Sequence, residues 1–191
     1  MELRRGKKTV TVEEDEGIHA TTAEGLAGLR PVNEGGVVTF GTQTHPADGN
    51  AGIVVCTAER AKALSADPKI SIRVLGFGEA RVGKALMPMA VVPAAREALD
   101  RAGVDIGACK AVKTHNPFAI NDVYLCREMD VAPDKLNRFG SSLIYGHPQG
   151  PTGLRAIIEL IEELVLAGGG IGVFSGCAAG DTAMAAVIRV D

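Results

Sequence analysis

The stretch TGLRAIIELIEELVLAGGGIGVFSGCAAGDTAMAAVIRV, residues 152–190, decides the fold. Its opening run, Thr152 to Ala167, carries apolar residues at helical spacing and predicts an amphipathic helix that Gly168, Gly169 and Gly170 stop. Two strand-like runs follow, GIGVFSG and TAMAAVIRV, separated by the tight segment Cys177 to Asp181. That pattern predicts a β-hairpin with a cysteine at its tip. Working back from the helix, SSLIYG (141–146) reads as a short strand after a loop containing Pro133. FAINDVYLCREM (118–129) reads as a helix and CKAVKTH (109–115) as the strand before it. Residues 71–81 alternate as a strand should, and PAAREALDRAG (93–103) is helical in period and stops on Gly103. AGIVVCT (51–57) reads as a buried strand leading into the short helix AERAKALSA. Strands alternating with helices, then a terminal hairpin, predict an α/β fold: a mixed sheet with helices on its faces.

Residues 1–47 differ from the rest and are expected to form an arm, with residues 48–191 as the domain. In the arm, Arg4, Arg5, Lys7 and Lys8 precede an acidic run from Glu13 to Glu16, and Thr22 stands as the cap of one short helix.

Composition narrows the function classes. A chain of 191 residues with 46% hydrophobic and 23% charged residues is long and apolar enough for one packed domain. Aromatic residues make up 4% and Trp is absent, so the core is built from Val, Ile, Leu and Ala, the usual filling of a helix-covered sheet. A net charge of -3 gives no electrostatic case for nucleic acid. No apolar run is long enough to span a membrane, and the N-terminal residues lack a signal-peptide core, so a cytoplasmic protein with no membrane partner is expected. Cys56, Cys109, Cys126 and Cys177 share no CxxC spacing, which predicts free thiols and no metal site.

Histidine and cysteine are scarce, so their placement is informative. His115 ends a predicted strand, His147 follows one within GHPQGPTG, and Cys177 lies in the hairpin. Functional groups of open α/β sheets gather just beyond strand ends. Gly146 and Gly150 flank His147 and leave room for close backbone approach, Pro148 stiffens the turn, and the helix starting at Thr152 aims its free N–H groups at the same loop. A thiol near imidazoles in such a setting can serve as acid or base. Gly76-Phe77-Gly78 with Gly83 does not make a dinucleotide loop, because the third glycine is misplaced and no helix opens there. His19 and His45 have no partner in sequence.

Three blocks together carry a resemblance. NRFGSSLIYGHPQGPTGLR (137–155) is similar to the N-x-x-G-G-x-I-x-x-G-H-P-x-G-x-x-G-x-R block of thiolases, Cys177 before Ala178-Ala179-Gly180 is similar to their terminal C-x-G-G-G hairpin, and His115-Asn116-Pro117-Phe118-Ala119 stands in the place of NEAFA. The arm, from Thr22 to Pro31 and from Thr39 to Gly49, also resembles the passage leading into the thiolase C-terminal domain. The chain therefore resembles the C-terminal half of a thiolase. His115, where the family usually has Asn, resembles the HDCF motif of the sterol-carrier-protein type.

The resemblance implies a mixed five-stranded sheet covered by helices and ending in a hairpin. It makes Cys177 the acid/base thiol for the proton of the incoming nucleophile. His147 would activate a nucleophilic cysteine and, with His115, hold an oxyanion; the Ala179 N–H would serve a second oxyanion site. Thr44, where many members have Ser before Gly against the pantetheine arm, and Met87 and Phe118 are expected to bind substrate. Coenzyme A is the implied substrate, with no permanently bound cofactor. The nucleophilic cysteine of a thiolase lies in its N-terminal half, so the implied partner is a chain supplying that half, in a hetero-oligomer that exchanges acyl groups with acyl-CoA. The other reading is a non-catalytic acyl-CoA-binding or scaffolding subunit, which has no need of both His147 and Cys177.

Overall fold

The computed structural model describes residues 1–191. The chain folds around a four-stranded mixed sheet ordered β3-β6-β5-β4, formed by β3 (Ile72–Arg81), β4 (Ala111–His115), β5 (Gly170–Ala178) and β6 (Thr182–Val190). β3 and β6, and β6 and β5, pair antiparallel, while β4 joins β5 in parallel, so the sheet is mixed as expected. β5 and β6 are the terminal hairpin, turning through Ala179, Gly180 and Asp181.

Strand alternation sends successive side chains to opposite faces. On one face Ala183, Ala185 and Val187 of β6 and Val173 of β5 pack with Ala94, Ala98 and Leu99 of α3 (Val91–Ala102) and with Leu125 of α4 (Ala119–Met129). On the other face Phe174, Ile188 and Val190 pack against Ala156, Leu160 and Leu164 of α6 (Thr152–Leu166). The three long helices stand close to where the sequence puts them. α3 ends on Gly103 in the left-handed conformation, and α6 ends just before its three glycines. The Gly76 and Gly78 pair of β3 has a packing role: a Cβ at Gly78 would lie 2.3 Å from the Ala94 carbonyl oxygen, and one at Gly76 would lie 2.5 Å from that of Ala98. Bare glycine lets the backbone of α3 settle onto the strand.

Two expected strands are absent, and the sheet has four strands rather than five. Residues 51–57 form no strand; Val54 and Val55 are 78% and 82% exposed. An apolar run becomes a strand only when another edge satisfies its N–H and C=O groups, and this one leads unpaired into Thr57, the cap of α2 (Ala58–Leu64). Residues 141–146 instead contain the helical turn α5 (Ser142–Tyr145). There the Ser141 hydroxyl accepts from Leu143 N at 3.3 Å, and the carbonyls of Ser141 and Ser142 accept from Tyr145 and Gly146. A capping serine outcompeted the extended pattern.

The first residues form a small hairpin of β1 (Glu2–Arg5) and β2 (Lys8–Thr11) that the charge pattern had hidden. Thr22 caps α1 (Ala23–Ala27) as expected, accepting from Gly25 N at 3.0 Å. No residue before Gly76 is buried.

Candidate active site

The parallel register of β4 and β5 places His115 opposite Gly176, so the C-terminal ends of both strands reach the same edge of the sheet. Alternation then puts His115 on the α6 face and Cys177 on the α3–α4 face. His147 arrives from the loop between α5 and α6. A cavity of about 580 Å³ opens where these elements meet, and His115, His147, Cys177, Ala179 and Met87 all line it. Five of the residues expected from the sequence thus come together from four separate segments.

The two imidazoles are stacked, with ring centroids 4.3 Å apart and planes tilted by 39°. Each ring is oriented through Nδ1: that of His115 lies 2.9 Å from Ser142 Oγ, and that of His147 lies 2.8 Å from Thr152 Oγ1 in the first turn of α6. Burial, then the neighbouring His147 and Arg155, pulls the His115 pKa down to about 4. Burial and the Arg155 charge lower that of His147 as well. Both rings are therefore neutral at physiological pH. Burial pushes the Cys177 thiol up, against the pull of a hydrogen bond from Asn121 and one from the backbone. A protonated thiol and two neutral imidazoles, set at the end of a rigid sheet, can deliver a proton and donate hydrogen bonds to an oxyanion.

Thr44 and Phe118 stand elsewhere. The Thr44 hydroxyl donates to the Ser142 carbonyl, its N–H donates to the Pro117 carbonyl at 2.8 Å, and Phe118 is bridged to Gln43. Neither lines the cavity of the two histidines. These contacts make residues 42–47 a brace for both histidine loops: Ala119 N donates to the Thr42 carbonyl at 2.9 Å, and His147 N to the His45 carbonyl at 2.8 Å. Gly146 makes room for this brace, since a Cβ there would lie 2.7 Å from that of Ala47 and the backbone is left-handed, with φ +80°.

Sequence reasoning missed the residues that hold the candidate site residues. Asn121 on α4 touches Cys177, Ser142 touches His115, and Arg155 on α6 reaches both the Ser142 hydroxyl and the Gly146 carbonyl. Ser142 and Arg155 lie inside the motif block quoted above, but nothing in their spacing announces a contact with His115. Asn121 carries no signal at all, because a lone Asn inside a helix pattern has no period.

A separate cavity of about 590 Å³, lined by Asp122, Asn137, Leu143 and Ile144 among others, shares no residue with the first. Its Asp122 carboxyl is pushed up by burial, while bonds from Thr114, Asn116 and Asn137 act against that. All four cysteines are free, and only Cys177 lines the histidine cavity. No group of three or more His, Cys, Asp or Glu side chains is arranged to hold a metal ion, and no helix is long and apolar enough to cross a membrane.

The family model described as "Thiolase, C-terminal domain" matches residues 68–190. The chain is 37% identical over 151 residues to the 3-ketoacyl-CoA thiolase of Aeromonas salmonicida, covering 75% of this chain and 38% of that one. It is 33% identical over 178 residues to the probable acetyl-CoA acetyltransferase of Mycobacterium leprae, covering 92% and 45% respectively. Among solved structures, the acetyl-CoA acetyltransferase of Bacillus anthracis superposes on the whole chain with a TM-score of 0.88 at 31% identity, and the human mitochondrial 3-ketoacyl-CoA thiolase in complex with CoA with a TM-score of 0.80 at 27% identity. The chain covers 48% of each of those structures and about two fifths of the length of the curated relatives it matches.

Proposed function

The chain belongs to the thiolase family, and from that membership we propose that it is the acid/base half of a thiolase, cleaving a 3-oxoacyl-CoA with coenzyme A or running the reverse condensation. The observation that carries this reading is the convergence of His115, His147 and Cys177 on one cavity. Cys177 is the only cysteine there, so the nucleophile is assigned to an N-terminal thiolase half in a hetero-oligomer. Residues 1–47 are an arm in this reading and 48–191 the domain. Coenzyme A is a substrate, and no resident cofactor is invoked.

The partner's cysteine thiolate attacks the 3-oxo carbon, and negative charge builds on its oxygen. His115, neutral and fixed through Nδ1, presents a ring N–H to that oxyanion from Nε2, and His147, also fixed through Nδ1, presents the proton that its Nε2 has taken from the partner's cysteine. When the carbon–carbon bond breaks, the electron pair stays on the departing acetyl-CoA carbon, which takes the proton from Cys177 Sγ. The Ala179 N–H, next to the end of β5, holds the charge that spreads onto the leaving thioester oxygen. The Cys177 thiolate then takes the proton from coenzyme A, whose sulfur attacks the acyl-enzyme and releases the shortened acyl-CoA. The partner's cysteine leaves as the thiolate and recovers its proton from His147 Nε2. A thiol with a raised pKa suits this role, since it is protonated when the carbanion needs a proton and basic once it has given it up. His115 in place of Asn sets the chain beside the sterol-carrier-protein type. Cytoplasmic conditions, which keep thiols reduced, suit a mechanism that runs on Cys177.

The reading is tested by native mass spectrometry of the endogenous protein, tagged on this chain and gently purified, with its partners sequenced. A partner bearing a thiolase-like N-terminal half with a reactive cysteine is expected. Purification alone, or only with unrelated enzymes, would remove the nucleophile and leave an acyl-CoA-binding or scaffolding subunit.

A further inference from the structure

We propose that Ser142 and Arg155 are positioning residues for His115, holding its ring in the tautomer that carries the proton on Nε2, so that it shows the cavity an N–H donor. The catalytic meaning of this rests on the reading above, but the tautomer itself does not.

The donors and acceptors around Ser142 select this tautomer. Ser142 is 2% exposed, and its Oγ has two partners: His115 Nδ1 at 2.9 Å and Arg155 Nη2 at 3.4 Å. A guanidinium has no acceptor, so Ser142 Oγ accepts from Arg155. The single hydroxyl proton is then left with one acceptor in reach, the Nδ1 lone pair of His115. Pointing it elsewhere strands a buried donor. A neutral imidazole that accepts at Nδ1 carries its proton on Nε2.

Arg155 is itself held in place. Its Nε lies 3.3 Å from Glu159 Oε1, one helical turn along α6, and its Nη1 donates to the Gly146 carbonyl at 3.3 Å. The other Glu159 oxygen pairs with Lys113 Nζ, which also donates to the Gly140 carbonyl at 2.7 Å. Lys113 is two residues before His115 on β4 and faces α6 with it, so the chain of contacts starts and ends on one strand.

This arrangement explains how a histidine can occupy a position where thiolases usually have Asn. An amide always offers an N–H donor, whereas an imidazole offers one from Nε2 in only one of its neutral forms. Ser142, oriented by Arg155, selects that form.

Nitrogen NMR of the isotopically labelled 191-residue chain reads the tautomer without turnover. The wild type is expected to show His115 protonated at Nε2 and bare at Nδ1. Ser142→Ala should give a mixture of both neutral tautomers at His115 while the His147 signals, set by Thr152, stay in place. Arg155→Met should move His115 the same way. A wild-type His115 protonated at Nδ1 would overturn the proposal, as would an unchanged ring in Ser142→Ala. A kinetic arm uses the assembled enzyme. Ser142→Ala should lower kcat by roughly tenfold, about 1.4 kcal/mol, with KM little changed. In the His115→Asn background, which has no tautomer to set, the same change should have almost no further effect. An equal loss in both backgrounds would make Ser142 merely structural. If the complex shows no turnover at all, the functional reading fails and the tautomer is still decided by NMR.

Discussion

The Asn121 side-chain amide donates to Cys177 Sγ across 3.3 Å, joining the first turn of α4 to the end of β5. Both residues are buried, and Asn121 Oδ1 has no hydrogen-bond partner, so the amide's one bond is the one to sulfur. That bond opposes the rise in thiol pKa that burial imposes.

Asn121→Leu, close in volume, removes the bond and also the orphaned carbonyl. The Cys177 thiol should move further up, and its reaction with iodoacetamide at a fixed neutral pH should slow, with the rate profile displaced to higher pH. Peptide mass spectrometry follows the site, with exposed Cys56 as internal reference. An unchanged Cys177 profile would show that the contact does not tune the thiol.

His115 should make stability depend on pH. Its pKa is about 4 in the folded chain against 6.5 for the free side chain. Between those values the unfolded chain binds a proton that the folded one excludes, so stability is full above about pH 6.5 and falls as pH drops toward 4. The loss attributable to this group is at most about 3 kcal/mol. Urea unfolding at a series of pH values should therefore show a steeper decline in wild type than in His115→Asn. Asp122, with its pKa raised, titrates in both proteins, so the difference reports His115 together with its coupling to the stacked His147.

The close approach of α3 to β3 gives a packing prediction. Gly78→Ala forces a methyl to within 2.3 Å of the Ala94 carbonyl oxygen, where backbone rather than a flexible side chain must yield. The cost should be about 1–3 kcal/mol, read as a lower urea midpoint. Gly52→Ala meets nothing within 4 Å and should leave the midpoint nearly unchanged.

What the sequence revealed and what it hid follow from the same physics. α3 and α6 were legible because each buries one face and so repeats its apolar residues, and the terminal hairpin because a short turn joins two apolar runs, whereas α4 buries only Asn121 and Leu125 and leaves Ile120 and Val123 exposed. Residues 51–57 share the apolar run but meet no partner edge, and no local pattern encodes whether a partner is there. At 141–146 a side-chain cap decided for a helical turn. In the site, His115, His147 and Cys177 stood out because their chemistry is rare in this chain, and β4–β5 pairing brought them together. Thr44 and Phe118 were marked by the resemblance alone, and they brace the site from outside the cavity. Asn121, Ser142 and Arg155 act through contacts between elements distant in sequence, which spacing does not record.

The central claim is that this chain supplies the acid/base thiol of a two-part thiolase. Its most direct test is CoA-dependent cleavage of acetoacetyl-CoA by the complex purified through this chain, wild type against Cys177→Ala. The account predicts a loss of about 10²–10⁴-fold in turnover with assembly unchanged. Near-normal turnover by the Cys177→Ala complex would contradict it.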